Sequence, residues 1–271
     1  MKIEFSEKTH FVETKAHARF IEFADACIEN RYIGVCHGRP GVGKTRSAYE
    51  FAKWPEPFGY NINGNMTPEL ERQVTQCKAI FITARVANTP KTIGTQLSSP
   101  MFWLGHARMR FAGTFEEPFL LNNATKAVPL VIVDEADRLS LKSFEHLRHI
   151  YDECGMGLIL LGMPGIEKRL ARYPQLYSRI GFVHEFKPLS DDEMRFLFSR
   201  RSEGFGLTFD PDTFEHVEAL SMIIRITGGN FRLIERLFAQ MKRIMTINAI
   251  SDVSGGVVEA ARECLVIGPT D

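Results

Sequence analysis

The residues with the clearest chemistry are Gly38-Arg39-Pro40-Gly41-Val42-Gly43-Lys44-Thr45, a full match to G-x-x-x-x-G-K-[ST]. Glycines at this spacing let successive backbone N–H groups turn toward phosphate oxygens, and a helix that starts there adds its positive end. Lys44 supplies a mobile cation for the β- and γ-phosphates, and the Thr45 hydroxyl is a ligand for Mg2+. Arg46, next in the chain, is grouped with the same site. Ninety residues on from Lys44, the apolar run Val131-Ile132-Val133 ends in Asp134-Glu135. Asp134 is placed to hold the metal and Glu135 to orient and polarise an attacking water. The alternative reading is that the two acids only cap the next helix. Gly41 and Gly43 are no dinucleotide signal, since the acidic ribose partner and its spacing are missing. Glu145, His146, His149 and Cys154 read as a helix face and its end rather than as metal ligands.

The elements around these residues follow from periodicity. Tyr32 to Cys36, Ala79 to Thr83, Val128 to Val133, Leu158 to Leu161 and Phe182 to Phe186 are short apolar runs and are expected strands. All-apolar strands mean burial on both faces, as in a parallel sheet covered by helices. Helices are expected over 14–29, from the P-loop to about Lys53 ahead of Trp54-Pro55-Glu56-Pro57, from Thr89-Pro90, and from Ser140 to about Glu153. This alternation is an α/β layered fold. After Pro188 the pattern turns helical. Ser190-Asp191-Asp192-Glu193 is a capping box. Asp210-Pro211 opens a second helix, a third runs from Phe231 to about Thr246 after Gly228-Gly229, and a fourth covers Val257 to Leu265. The expected organisation is an N-terminal helical segment (1–30), an α/β domain (31–188) and a helical domain (189–271).

The 271 residues are 44% hydrophobic and 24% charged with a formal net charge of +0, a globular balance in which global charge argues for no partner. Five scattered cysteines lack metal-ligand or redox spacing and read as reduced thiols of a cytoplasmic protein. No leader-like start and no membrane-length apolar run is seen. Between Arg72 and Phe115 lie Arg72, Lys78, Arg85, Lys91, Arg108 and Arg110 with no Asp or Glu, a local basic interval suited to phosphates. A solvated face is the plainer reading.

Together these elements resemble an AAA+ ATPase, and more narrowly the transposition ATPases of the TniB, TnsC, MuB and IstB type. The likeness is carried by Ile33 to Thr45, Val133-Asp134-Glu135-Ala136-Asp137-Arg138-Leu139, Leu160-Leu161-Gly162-Met163-Pro164-Gly165, Tyr177-Ser178-Arg179 and Thr227-Gly228-Gly229-Asn230-Phe231-Arg232-Leu233. It covers roughly residues 11 to 265 and implies an AAA+ P-loop fold with a small helical lid, bound ATP and Mg2+, and slow or ordinary hydrolysis. It implies an arginine finger at Arg179, with Arg169 and Arg172 as rivals, and a sensor arginine at Arg232. It places the segment after the second strand against double-stranded DNA, with Lys91 first and Thr92 and Lys142 behind it. It implies a homo-oligomer, as a ring or helical filament, and a DDE-class transposase as partner. One departure stands out: Met163 falls where the family usually carries a polar sensor side chain, and a thioether positions water poorly. A replication initiator or helicase loader, and a nucleotide-dependent switch that never touches DNA, share the same motifs.

Overall fold

The computed structural model describes residues 11–55, 64, 67–114, 121–205, 207, 209–210 and 212–265, without the side chains of 121–123 and 199–205. Glu56, Pro57, Phe115 and Pro211 of the readings above lie outside these residues.

Five parallel strands form one sheet: β1 (Ile33–His37), β2 (Ile80–Thr83), β3 (Leu130–Asp134), β4 (Gly157–Gly162) and β5 (Ile180–Glu185), in the order β2-β3-β4-β1-β5. β3 and β4 are buried along their whole length, as an apolar strand covered on both faces must be, whereas edge strand β5 alternates half-buried and exposed. Ile33, Val35, Ile80, Leu130, Ile132 and Leu160 are fully buried in this core. The register aligns Thr83 with Asp134 and His37 with Gly162, so the carboxyl ends of the strands reach one edge of the sheet. In open α/β sheets that edge is where ligands bind.

The helices of this layer are α1 (Lys15–Asn30), α2 (Lys44–Ala52), α3 (Pro68–Gln76), α4 (Pro90–Phe111), α5 (Leu121–Lys126), α6 (Leu141–Cys154), α7 (Ile166–Leu170) and α8 (Pro174–Tyr177). α4 starts as expected, with Thr89 capping the Thr92 N–H, and α6 starts on Ser140 capping Ser143. Sequence periodicity did not reveal α3, α5, α7 or α8. The first has only one buried side chain, Val74, and the others are six residues or fewer.

The chain divides into two compact units, one of residues 17–39 and 44–186, the other of 1–16, 40–43 and 187–271. In the second, α9 (Asp191–Phe205), α10 (Phe214–Thr227), α11 (Phe231–Ile247) and α12 (Gly255–Glu263) enclose Met194, Phe198, Ile223, Leu237, Met241 and Val258. The Ser190–Glu193 capping box is present in both directions. α10 departs from expectation. It starts at Phe214 rather than at Asp210-Pro211, because the Asp210 carboxylate closes a turn on the Asp212 N–H and the Thr213 hydroxyl. α10 ends on Gly228 in the left-handed conformation, and Gly229 has only the space of a hydrogen beside the Leu189 carbonyl. Asn230 then caps α11.

Candidate nucleotide site and basic face

β1 delivers the phosphate loop to the sheet edge, and α2 begins at Lys44. Gly43 sits at φ +106°, a conformation L side chains rarely adopt, so the loop geometry itself demands glycine there. The Lys44 ammonium donates to the carbonyls of Gly38 and Arg39 (2.5 and 3.0 Å), which holds it under the loop. Burial lowers its pKa, opposed by nearby acidic groups including Asp134. The crest Pro40–Gly43 clusters with the helical unit. There the Asn230 side-chain amide donates to Pro40 O (2.8 Å) and the Arg232 N–H to Gly41 O (3.3 Å). Arg232 is exposed on the first turn of α11, and its guanidinium has no ion pair among the described residues. Arg46 points along α2 to Glu50 (2.9 Å).

Two residues separated by 89 positions meet at the centre of the site: the Thr45 hydroxyl donates to Asp134 Oδ2 at 2.9 Å. Asp134 is only 5% exposed, and burial pushes its carboxyl above the usual carboxylate range. A buried carboxylate beside a hydroxyl is a donor set suited to a hard, oxygen-seeking cation such as Mg2+. Glu135 occupies the left-handed region (φ +54°), unusual for a residue with a side chain, and its carboxylate makes no cap bond to the following 3-10 turn, Ala136–Arg138. Helix capping therefore does not account for Glu135; its carboxylate is partly exposed and pairs with Arg138 at 3.6 Å.

Met163 follows β4 with its side chain 38% exposed, and its N–H donates to Asp137 Oδ2 at 2.8 Å. Asp137 also lies against Gly162, where a Cβ would fall within 2.9 Å of its carboxylate. Sequence reasoning assigned Asp137 no role, although it lies in the quoted acidic run; only the fold brings it to the end of β4. The three candidate finger arginines differ in commitment. Arg169 donates to Asp137 O and Leu139 O and lies over the Phe144 ring. Arg172 is exposed. Arg179, after α8, donates to Asp152 Oδ1 (2.6 Å) and Gln175 O, and the Asp152 bond raises its pKa further.

The basic interval sorts itself in space. Arg72 pairs with Glu69, Lys78 with Asp25, and Arg108 is turned inward to Cys77 O and Ala127 O. Arg85 and Lys91 are exposed and carry no ion pair among the described residues. With Thr92, Thr95 and Gln96 they line a recess of about 220 Å³ at the start of α4. The Thr92 hydroxyl is engaged in the α4 capping box, accepting from the Thr89 N–H and donating to Thr89 O. Lys142, at the start of α6, is exposed and has no ion pair among the described residues. His149 pairs with Glu153 and Glu145 with Arg148, and no metal-binding group of His, Cys, Asp and Glu occurs among the described residues. The five cysteines are free, and no described helix is long and apolar enough to cross a membrane.

A parallel sheet with a phosphate loop after its first strand and a buried Asp on a neighbouring strand end defines the P-loop nucleotide-hydrolysing class. The AAA domain model matches residues 28–170, and the chain belongs to that family. It is 40% identical over 97% of its length to a "Potential ATP-binding protein" of Staphylococcus aureus, covering 99% of that protein. It is 23% identical to the Mu-like prophage FluMu DNA transposition protein B of Haemophilus influenzae, over 87% of this chain and 74% of that one. Among solved structures, the Thermotoga maritima RuvB Holliday junction branch migration motor superposes with a TM-score of 0.58 at 14% identity, covering 94% of this chain and 70% of that one. The Aeropyrum pernix ORC2 protein superposes with a TM-score of 0.57 at 15% identity, covering 93% and 68%. The last two likenesses concern the fold alone.

Proposed function

We propose that this chain is an ATP- and Mg2+-dependent AAA+ ATPase that oligomerises on double-stranded DNA with little sequence preference and regulates transposition by marking a target and engaging a DDE-class transposase. The observation that carries the DNA reading is the recess at the start of α4, where Arg85 and Lys91 are the exposed cations of the basic interval without an ion pair among the described residues. Two exposed cations suit phosphate oxygens and offer nothing selective for base edges. Likeness to a DNA transposition protein along most of the chain supports transposition over replication.

In this reading Gly38 to Thr45 cradle the triphosphate, Lys44 leaves the Gly38 and Arg39 carbonyls to meet the phosphates, and Thr45 with Asp134 hold the metal. Mg2+, when bound, neutralises charge on the phosphate oxygens. Glu135 accepts a proton from the attacking water, Arg232 responds to phosphate occupancy, and Arg179 leaves Asp152 to reach the site of a neighbouring subunit. Lys91, Thr92 and Lys142 face the DNA. The test is fluorescence anisotropy of a labelled duplex, with electron microscopy of the same sample, in the presence of a non-hydrolysable ATP analogue. Salt-dependent binding and rings or filaments on the DNA are expected. Discrete monomers with no DNA binding would refute the reading in favour of a nucleotide-dependent protein switch.

A further inference from the structure

Arg179 is held by a side chain that has a second cation in reserve. Its main chain is fixed: the Arg179 N–H donates to Leu176 O (3.0 Å), and Arg179 O accepts from the Ile33 N–H (3.1 Å) at the start of β1. Only the guanidinium has latitude. It is parked on Asp152 of α6, Nε to Oδ1 at 2.6 Å, and on Gln175 O. With its other oxygen, Oδ2, Asp152 accepts from Arg148 Nη1 at 2.6 Å, one turn back on the same helix. Arg148 in turn donates to Glu145 with Nε (3.1 Å). α6 is itself tied down, since the Tyr151 hydroxyl donates to Arg31 O (2.6 Å). Four charges therefore form one series, Glu145, Arg148, Asp152 and Arg179, with Arg179 at its end.

The order of charges decides how hard it is to release Arg179. A carboxylate bonded to one arginine loses its whole ion pair when that arginine departs. Asp152 keeps Arg148 when Arg179 departs, so its carboxylate stays bonded. Asp152 and Arg179 are both 32% exposed, so water takes the vacated positions, and the exchange moves populations by a few-fold rather than by orders of magnitude. A contact of that size does not block assembly. It raises the subunit concentration at which assembly occurs, because only the fraction of subunits with the guanidinium released is competent to engage a neighbour. Arg169 has no such arrangement, since its acceptors are the uncharged carbonyls of Asp137 and Leu139.

We infer that Asp152 is a positioning residue that parks Arg179 in the separate subunit, with Arg148 as the cation that stays behind on release, and that this exchange sets the protein concentration at which subunits assemble into an active ATPase. The partner is a second copy of this chain. The inference rests on the reading of Arg179 as the finger for a neighbouring subunit's site. No covalent bond is made or broken; one charged contact within the subunit is exchanged for one between subunits.

The experiment uses the full chain with MgATP and reads turnover per subunit against protein concentration, mass photometry over the same range, and binding of a fluorescent ATP analogue. Two neutralising substitutions one helical turn apart are expected to act in opposite directions. Asp152→Asn removes the charge that parks Arg179 and should lower the half-maximal concentration about two- to fivefold, the scale of one partly exposed ion pair. Arg148→Gln leaves Asp152 to Arg179 alone and should raise it by a similar factor. Asp152→Glu keeps the charge and should lie between the unaltered protein and Asp152→Asn. Turnover at saturating protein concentration and nucleotide affinity should stay within about twofold in all three. General damage to α6 would move both midpoints the same way. An unchanged midpoint in Asp152→Asn, or a shift of the same sign in Asp152→Asn and Arg148→Gln, overturns the proposal. If Asp152→Asn fails to fold by circular dichroism, an unchanged or lowered midpoint in Arg148→Gln overturns it instead. Arg179→Ala separates the parking from the finger reading beneath it. Turnover that survives Arg179→Ala, or that is independent of protein concentration, brings down the shared site and the parking together. Turnover lost in Arg179→Ala with an unmoved midpoint in Asp152→Asn brings down the parking alone.

Discussion

Asp134→Asn is expected to push stability in opposite directions with and without ligand. Asp134 is 5% exposed, Thr45 donates to it, and burial dominates its raised pKa. Asparagine preserves the shape and the acceptor for Thr45 but removes a charge that the fold leaves poorly compensated. Relieving a buried polar group of this kind is worth about 1–3 kcal/mol. At about 2–4 °C per kcal/mol for a chain of this size, a gain near 2 kcal/mol raises the ligand-free melting temperature by roughly 4–8 °C. The sign with pH follows from the raised pKa. The favourable, protonated state of Asp134 is fully populated below its unfolded value of about 3.9 and is lost as pH rises through the folded value. The variant's advantage should therefore be present at pH 7.5 and vanish below about pH 3.5. Ligand reverses the order. MgATP at about a hundredfold over its dissociation constant stabilises the unaltered protein by about 2.7 kcal/mol, and the variant should lose most of that increment because Asp134 holds the metal. Differential scanning fluorimetry at pH 7.5 and 3.5, with ATP alone and with MgATP, reads all of these quantities. A variant that melts lower than the unaltered protein without ligand at pH 7.5, or that keeps the full MgATP increment, would refute the reasoning.

Arg179→Ala should reduce turnover about a thousandfold with ATP binding intact. Mixing it with Lys44→Ala should restore part of the activity, since one variant keeps the finger and the other the loop; no recovery in the mixture counts against a shared site. Replacing Arg85 and Lys91 together with alanine should lower the slope of log affinity against log salt for duplex DNA by about 2 and weaken binding equally across sequences, as measured by anisotropy titrations. In the helical unit, His216 Nδ1 accepts from the Asp210 N–H, so Nε2 carries the proton and donates to Asp252 at 2.6 Å. That bond holds the Asp252 carboxyl below its ordinary range. The stabilisation is present above the unfolded pKa of about 3.9 and is lost as pH falls through the folded value, so Asp252→Asn should flatten the acid limb of helix loss followed by circular dichroism.

What the sequence determined by itself was local. G-x-x-x-x-G-K-T, five short apolar runs, the caps Thr89, Ser140 and Ser190, and the break at Gly228-Gly229 are all legible because each is set by a few neighbouring residues and by one period. The opening of α10 was misread because an aspartate's bond to the next N–H or hydroxyl competes with capping, and Asp210-Pro211 alone does not say which wins. Short helices such as α7 and α8 escape because four or five residues hold no full period. Other features were decided only by the tertiary structure, since they depend on residues far apart in the chain. The basic interval looked uniform, yet Asp25 and Glu69 neutralise two of its cations, the core takes Arg108 and Arg110 is half-buried, so that Arg85 and Lys91 are the exposed ones without an ion pair among the described residues. Arg169 and Arg179 look alike in the sequence, and only the fold shows Arg169 bonded to Asp137 O and Leu139 O and Arg179 to Asp152 and Gln175 O. Arg138 and Asp137 lay in plain view beside Asp134-Glu135. Their partners, Ala84 and Asn88 from the end of β2 and Met163 from the end of β4, come within bonding distance only because parallel strands bring their carboxyl ends to one edge.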